Sequence, residues 1–561
     1  MSIPVSHSIR PLMLGLAVTA ATTACKSPAE HVREADEQVF AILEAAMGEV
    51  SGTAKTFELE RRGDRLRDEL LRAAAEAEAA ATPLVFDIPT ALDVAAGNSR
   101  EFARQKESLY RAALGLTRQQ HEFAVRWGAG GSAEVSGVGD DSADFRFHDD
   151  LAASVRSTSG ARVDAGFANT LFRSLISGGG WNESSVLDLS FTQPLLQGFG
   201  EAITREPLTQ AERDVVYAVR SFERFRATFA VDLVVSYLRV LQQEQNLANV
   251  RANYESVRLL RERAEALFER GRVAILDVDR ARSDEYEAQN SIVDAETSLE
   301  AALDSFKFQL GLPIDTPLAL DSSAFRHFES LGILAVELDE DRAVELAAQR
   351  RYDYRTTLDR VDDAARQIVV AEDALRSILD FSAAVSVPTE PGKALEFDWS
   401  RIGWAAGFDL DLALDKLPER NAYRTALINL DERIRAREEA EDRLAQEVRN
   451  ALRDIRSQVA SFRIQTRGLE LAQARVRSTE LLYEAGRIEA REVLDAQNRL
   501  LSAQISVTSA VVNYATARLE LLRDLEAIAL EPKGLRIDLT LPVPTGPQDT
   551  IDAARVRNTT L

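Results

Sequence analysis

The segment GRVAILDVDRARS at Gly271–Ser283 returns 215 residues later as GRIEAREVLDAQN at Gly486–Asn498, and both copies stand between long stretches of helical periodicity. Self-similarity at a fixed spacing constrains a fold before any local motif does, because the same structural unit must be built twice. Here that unit is a long helical hairpin. Ahead of the first copy, Leu208 to Arg270 runs 63 residues without a Gly or Pro, and a continuous helix of that length reaches about 95 Å. A second pair, ALDVAAGNSREF (Ala91–Phe102) and AVELAAQRRYDY (Ala343–Tyr354), is offset by 252 residues. The two offsets differ by 37, so the first repeat carries that much more chain between its opening helix and its hairpin tip. The excess falls in the Gly-, Ser- and Asp-rich region Trp127–Glu183, which reads as a surface-loop insertion.

Composition narrows the function classes. Hydrophobic residues make up 45% of the chain, enough for a core, and the formal net charge of −23 argues against a nucleic-acid partner. The acidity fits a solvated face or an acidic lumen. Five histidines are scattered without ligand spacing, and a single cysteine permits neither an internal disulfide nor a cysteine-rich metal site. No nucleophile and base constellation or phosphate-binding Gly loop is present, so the chain reads as neither an enzyme nor a cofactor protein.

The cysteine is informative by position. Arg10 precedes an apolar segment, Leu12–Ala24, too short to span a bilayer and similar to the hydrophobic core of a secretory signal. Thr22, Thr23 and Ala24 lead into Cys25, an arrangement that resembles a bacterial lipoprotein processing site, although Thr22 stands where Leu is usual. That resemblance makes residues 1–24 a signal peptide and Cys25 a lipidated N-terminus. A conventional cleaved signal and an incidental buried cysteine are the alternatives. Lys26, where an Asp would retain such a protein at the inner membrane, favours sorting to the outer membrane.

Residues 26–86 read as helices and linkers, and the first repeat opens with an expected helix from about Thr90 to Ala124. The helical period then breaks. Leu187, Leu189 and Phe191 alternate with Asp188 and Ser190 as a strand, after the expected turn SGGGWN at Ser177–Asn182. FTQPLLQGFG (Phe191–Gly200) turns that strand into the long helix. In the second repeat the strand candidates are Phe381–Val387 and Trp404–Leu414. Trp404, Ala406, Phe408, Leu410, Leu412 and Leu414 would point one way, Asp409, Asp411 and Asp415 the other. This is the pattern of a membrane barrel strand, and equally that of a strand with one face on a soluble core. Helices follow from Pro418 to about Ala485 and from about Glu489 to Leu530.

With four strands expected per chain, open backbone edges are satisfied in lipid only when strands from several copies close a barrel. The two-fold repeat, FTQPLLQGFG, the tips Phe268-x-x-Gly271 and Tyr483-x-x-Gly486, and Glu492-Val493-Leu494-Asp495-Ala496-Gln497 resemble the TolC-type outer membrane efflux protein family over roughly Thr90–Leu530. The resemblance implies an α-helical barrel joined to a transmembrane β-barrel. It is built as a homotrimer of two repeats, each a long helical hairpin with a short β-hairpin, twelve strands in all. The expected division is a periplasmic extension at 25–89, efflux repeats at 90–320 and 335–530, and a tail at 531–561. LALDKLPERNAY lacks the family's usual Gly-rich turn, and the N-terminal extension is also a departure.

The family's function is an outer membrane exit duct of a tripartite efflux or type I secretion system, working with a periplasmic adaptor (membrane fusion protein) and an inner-membrane pump. By residue, the resemblance makes Glu492 and Asp495 the periplasmic gate, where Asp277 and Arg280 stand in the first repeat. It makes Gly271, Arg272, Gly486 and Arg487 the adaptor-contact tips. Trp404, Phe408, Leu410 and Leu412 would meet outer membrane lipid. Without the resemblance, Glu492 and Asp495 read as turn residues paired with Arg487 and Arg491, and the whole chain as a coiled-coil scaffold or tether of the cell envelope. The cargo is not written in the sequence.

One expectation is testable at this level. Intact-mass analysis of membrane-extracted protein should find a lipid-modified Cys25 at the N-terminus; an unmodified terminus or a retained Met1–Ala24 segment would remove the lipoprotein reading alone.

Overall fold

A computed structural model describes residues 26–51, 66–75, 83–138, 142–176, 180–323, 338–390 and 395–528, with a few single positions besides. Met1–Cys25, including the expected lipidation residue, lies outside the described residues, as do 177–179 of the expected SGGGWN turn and nearly all of 531–561.

Two helices, α1 (Pro28–Ser51) and α2 (Leu66–Ala75), come first. The first repeat then gives β1 (Leu84–Phe86), α3 (Ile88–Asn98), α4 (Arg100–His121), β2 (Arg126–Val138), β3 (Ser142–Arg156), β4 (Arg162–Ser174) and β5 (Asn182–Pro194). It ends in the hairpin α5 (Glu206–Glu269) and α6 (Ile275–Leu310). After β6 (Leu318–Leu320) come α7 (Glu340–Arg350), α8 (Tyr352–Asp373), β7 (Ile378–Pro388), β8 (Gly403–Asp411), α9 (Leu417–Glu484) and α10 (Ala490–Asp524). Helices α3 and α7 have 11 residues each, α4 and α8 have 22, and both pairs start 252 residues apart. Helices α6 and α10, with 36 and 35 residues, start 215 apart.

The opening helices start alike for a local reason. Asp87 and Asp339 each sit at an N-cap and accept from the backbone N–H three residues on, Thr90 at 2.8 Å and Arg342 at 3.3 Å, satisfying a donor the helix cannot. The expected single helix from Thr90 to Ala124 is two helices. Ser99 is extended (φ −64°, ψ 127°), as is its counterpart Arg351 (φ −60°, ψ 120°), so the chain bends between α3 and α4 and between α7 and α8. Buried apolar positions run on through the first bend, from Ala91, Leu92 and Ala95 to Phe102, Leu109 and Ala113, so the periodicity does not mark it.

The described chain divides into two compact units, one built around Ser108–Val219 and Asp363–Leu430, the other around Leu59–Glu107, Arg220–Asp362 and Asp431–Leu561. In the first, six strands form one antiparallel sheet in the order β2-β3-β4-β5-β7-β8. This corrects the expectation of four strands and of a loop insertion at Trp127–Glu183. β2, β3 and the turn after β3 span residues 126–161, close to the 37-residue excess of the first repeat. Their Gly, Ala and Ser content weakens the alternation that marks a strand, while the backbone still pairs along its length. The turn is tight: the Ser157 N–H donates to Ala161 O at 2.7 Å, and Gly160 holds φ +94° where a Cβ would lie 2.6 Å from Gly198 O. α1 belongs to this unit, with Val39, Leu43 and Met47 buried and Asp36 accepting from the Tyr110 hydroxyl at 2.7 Å.

A second correction concerns Leu412 and Leu414, which lie beyond β8. Asp411 accepts from the Ala413 N–H at 3.0 Å and Asp415 from the Leu417 N–H at 3.1 Å, two Asx turns that take the chain out of the sheet and into α9.

In the second unit, β1 and β6 pair in parallel, and the buried Tyr237 hydroxyl shares its one proton between Phe86 O and Asp321 O, 2.9 Å from each. Phe102 packs against Phe222, Phe225 and Phe229. The second repeat's core gathers Leu346 and Ala347 with Leu452, Ile455 and Leu521. Gly311 ends α6 in the left-handed region (φ +76°), and a Cβ there would lie 2.2 Å from Asn98 O. Gly486 has a similar φ of +67° but open space around it. Gly486→Ala should therefore cost about 1–2 kcal/mol and Gly311→Ala distinctly more. Denaturant unfolding of the two variants compares them; equal losses would mean that the Asn98 backbone gives way.

Candidate functional site

The sheet has two chemically distinct faces. Strand register places Trp404 opposite Val385, Phe408 opposite Phe381 and Leu410 opposite Leu379. Val385 faces Leu189, Leu189 faces Ala165, and Ala165 faces Ala153, which pairs with Trp127. Because side chains alternate along a strand, these residues share one face, and their neighbours share the other. The second face carries Asp409, Asp380, Asp188, Asp164, His148 and Arg146, each at the alternate register. Trp404, Phe408 and Leu410 are 77%, 71% and 55% exposed, and leaving each of them in water forgoes about 1.5–3 kcal/mol of burial. One polar row crosses the apolar face. There Asn169 donates to Asp149 at 2.9 Å and accepts from the Ser185 hydroxyl at 3.0 Å, so the row largely satisfies itself.

The helix tips are the second feature. Gly271 and Gly486 both take φ +67°. The Gly271 N–H donates to Phe268 O at 2.8 Å and the Arg272 N–H to Leu267 O at 2.9 Å; the Gly486 N–H donates to Tyr483 O and the Arg487 N–H to Leu482 O, each at 2.9 Å. These are two copies of one helix-ending motif, which requires a left-handed residue and explains both glycines. All four expected tip residues are exposed. The aromatic residues preceding them differ. Tyr483 is buried among Val257, Leu260, Ala288, Val493 and Leu494, whereas Phe268 is 41% exposed.

Glu492 and Asp495 lie on the exposed side of α10's first turns, while Val493, Leu494, Ala496 and Gln497 are buried. Among the described residues neither acid pairs with Arg487 or Arg491. In the first repeat Asp277 is occupied by a local cap, accepting from the Ala274 N–H at 3.2 Å. The structure adds an acid that the sequence reading missed. The carboxyl of Asp284, on α6, is pushed up by burial, then by the charges of Glu287 and Asp495, with Arg280 opposing. Asp495 of the second hairpin thus lies close enough to act on an acid of the first. The repeat comparison could not find Asp284, because the 215 offset aligns it with Arg499.

Elsewhere, an open cleft of about 580 Å³ is lined by Arg118, Gln119, Glu206, Gln210, Asp214 and Gln367. Among the described residues no group of His, Cys, Asp and Glu could hold a metal ion, and no helix is long and apolar enough to cross a membrane.

Comparison with known proteins gives a consistent picture. The model of the family described as outer membrane efflux protein matches residues 152–312 and 343–525. Outer membrane protein TolC of Escherichia coli (strain K12) is 22% identical over 359 residues, covering 62% of this chain and 70% of TolC. Among solved structures, the Campylobacter jejuni CmeC outer membrane channel aligns with a TM-score of 0.59 at 12% identity, over 84% of this chain and 89% of that one. The outer-membrane channel OprN aligns with a TM-score of 0.58 at 16% identity, over 78% and 90%. At these identities the structural matches show the fold, that of channels combining helical and β-barrels.

The two-faced sheet makes a prediction of its own. An arginine on a face that meets hydrocarbon costs up to about 2–4 kcal/mol, so Leu410→Arg should sharply lower the protein recovered in outer membranes, and Asp411→Arg much less. Membrane fractionation and blotting decide it; equal tolerance at both positions would mean that Leu410 does not face lipid.

Proposed function

The chain belongs to the outer membrane efflux protein family, and from that membership we propose that it is the outer membrane exit duct of a tripartite efflux or type I secretion system. In this reading it acts as a homotrimer with a periplasmic adaptor and an inner-membrane pump. The observation that carries the reading is the sheet with one apolar and one polar face, joined in one chain to two helical hairpins with matching tips. A pore wall needs the sheet, and a tunnel needs the hairpins. The alternative of an envelope scaffold uses the helices for spacing alone and gives no role to a sheet with Trp404 and Phe408 in the open.

Further copies would cover what one copy exposes. Leu259, Phe268, Ile464, Leu471 and Leu481 on the long helices are 41–72% exposed, and Tyr483 already packs hairpin on hairpin within one chain. We assign Phe268 the corresponding contact with the second hairpin of the next copy. Gly271, Arg272, Gly486 and Arg487 would meet the adaptor, and Cys25 would carry lipid. The limits 90–320 and 335–530 remain our proposed repeat boundaries, with 1–24 removed, 25–89 on the periplasmic side and 531–561 a tail.

Glu492 and Asp495 are proposed as the gate. Both project from α10 with no arginine partner among the described residues, and three-fold symmetry would bring like charges together on an axis, where they attract cations and repel one another. Opening then requires the tips to part, a population shift driven by an adaptor that binds the open form better. In planar bilayers the purified protein should conduct weakly with cation preference, and Glu492→Gln/Asp495→Asn should lose much of that preference. Unchanged selectivity and divalent-cation block in the double variant would place the gate elsewhere.

A further inference from the structure

We propose that the membrane wall closes through a seam between β8 of one copy and β2 of the next, so that three copies form an eighteen-stranded barrel with β2 and β3 built into it. The proposal rests on the trimeric reading above and adds what each copy contributes. A barrel's diameter grows roughly in proportion to its strand number. Six strands per copy in place of four make it about one and a half times as wide as the twelve-stranded barrel that the family resemblance implies.

Four observations converge on this seam. First, β2 and β8 are the two edges of one sheet, and each leaves a row of backbone groups unpaired, which hydrocarbon does not tolerate. All five pairings between them are antiparallel, so β2 runs opposite to β8 and the two edges from neighbouring copies meet without reversal. Secondly, the faces agree. Trp127, Ala129, Ala133 and Val135 of β2 lie, by register, on the same face as Trp404, Phe408 and Leu410 of β8, and Trp127 and Val135 are 73% and 67% exposed. A long edge strand showing such side chains would be an aggregation site in water and a wall element in lipid.

Thirdly, the lengths suit. β2 has 13 residues and β3 has 15, against the 9–11 or so needed to cross a bilayer. Fourthly, β2, β3 and the turn after them span residues 126–161, close to the 37-residue excess of the first repeat over the second. The family match begins at residue 152, inside β3, so it takes in β4, β5, β7 and β8 and leaves out β2 and most of β3 together with α3 and α4.

The test distinguishes this proposal from the trimeric reading beneath it. Cysteines at Ala133 on β2 and Ala406 on β8, oxidised in native membranes, should yield covalent dimers and trimers. The pair Ala165 on β4 with Ala406 should not, because β3 already occupies that edge of β4. Strong crosslinking of Ala165 with Ala406 would mean that the wall has twelve strands and the β2–β3 hairpin stands outside it, with the trimer intact. No intermolecular crosslink in either variant would count against the seam. Electron microscopy of the unmodified protein reads the strand number directly: eighteen supports the proposal, twelve overturns it, and a particle other than a trimer overturns the reading on which it rests.

Discussion

Within hydrocarbon a strand has no water to complete its hydrogen bonds, so each N–H and C=O must find a partner on another strand. The six-stranded sheet depends on that restriction. β3, β4, β5 and β7 are paired on both sides, and only β2 and β8 keep an open edge. Side chains obey the same solvent. Trp404, Phe408 and Leu410 share a face with Leu189, Ala165 and Trp127, and the carboxylates of Asp409, Asp380 and Asp188 share the opposite one. An apolar face of that extent, left in water, would forgo free energy comparable with the whole net stability of an ordinary domain, about 5–15 kcal/mol. The sheet suits a bilayer on one side and an aqueous space on the other.

Duplication supplied two hairpins with the same ending and different surroundings. Gly271 and Gly486 close their helices by the same bonds at the same φ, because a left-handed residue is what lets the last carbonyls of α5 and α9 find donors. Side chains near the tips have diverged. Tyr483 is buried against the first hairpin where Phe268 is half-exposed, and Asp277 caps its own helix where Glu492 is left projecting. A chain with two identical hairpins would offer one kind of lateral contact; this one offers an internal contact already made and a different one still open.

How much of this was legible in the sequence follows from which signals are local. The repeat was visible because a glycine at a helix ending is dictated by backbone geometry within a few residues, as at Gly271 and Gly486. β5, β7 and β8 were visible because Leu, Phe and Trp alternate with Asp and Ser there. β2 was not, since Gly128, Gly130 and Gly131 and the small residues around them carry little alternation, and its membership is settled by thirteen backbone pairings with β3. The end of β8 was misplaced for the opposite reason: alternation continues through Leu412 and Leu414 although Asp411 has turned the chain away. The family resemblance supplied the gate acids and tips, but Asp284 depends on contact between two hairpins far apart in sequence.

Asp284 also bears on where a conduit of this kind would discriminate. A barrel of sixteen to eighteen strands leaves an open aqueous channel, so a wall of the proposed width would contribute little selection, which would then fall to wherever acids from different hairpins crowd together. Burial and the charges of Glu287 and Asp495 push the Asp284 carboxyl up, so its protonated form is favoured relative to a freely solvated Asp. The contribution of this group to keeping the hairpins together is therefore fully present at low pH and is lost as pH rises through the raised value. A bound cation would relieve the same repulsion without a proton. In the gate proposed above, closure of the tips and the charge of what passes between them would then be governed by one set of interactions, and neutralising acid would favour the closed arrangement.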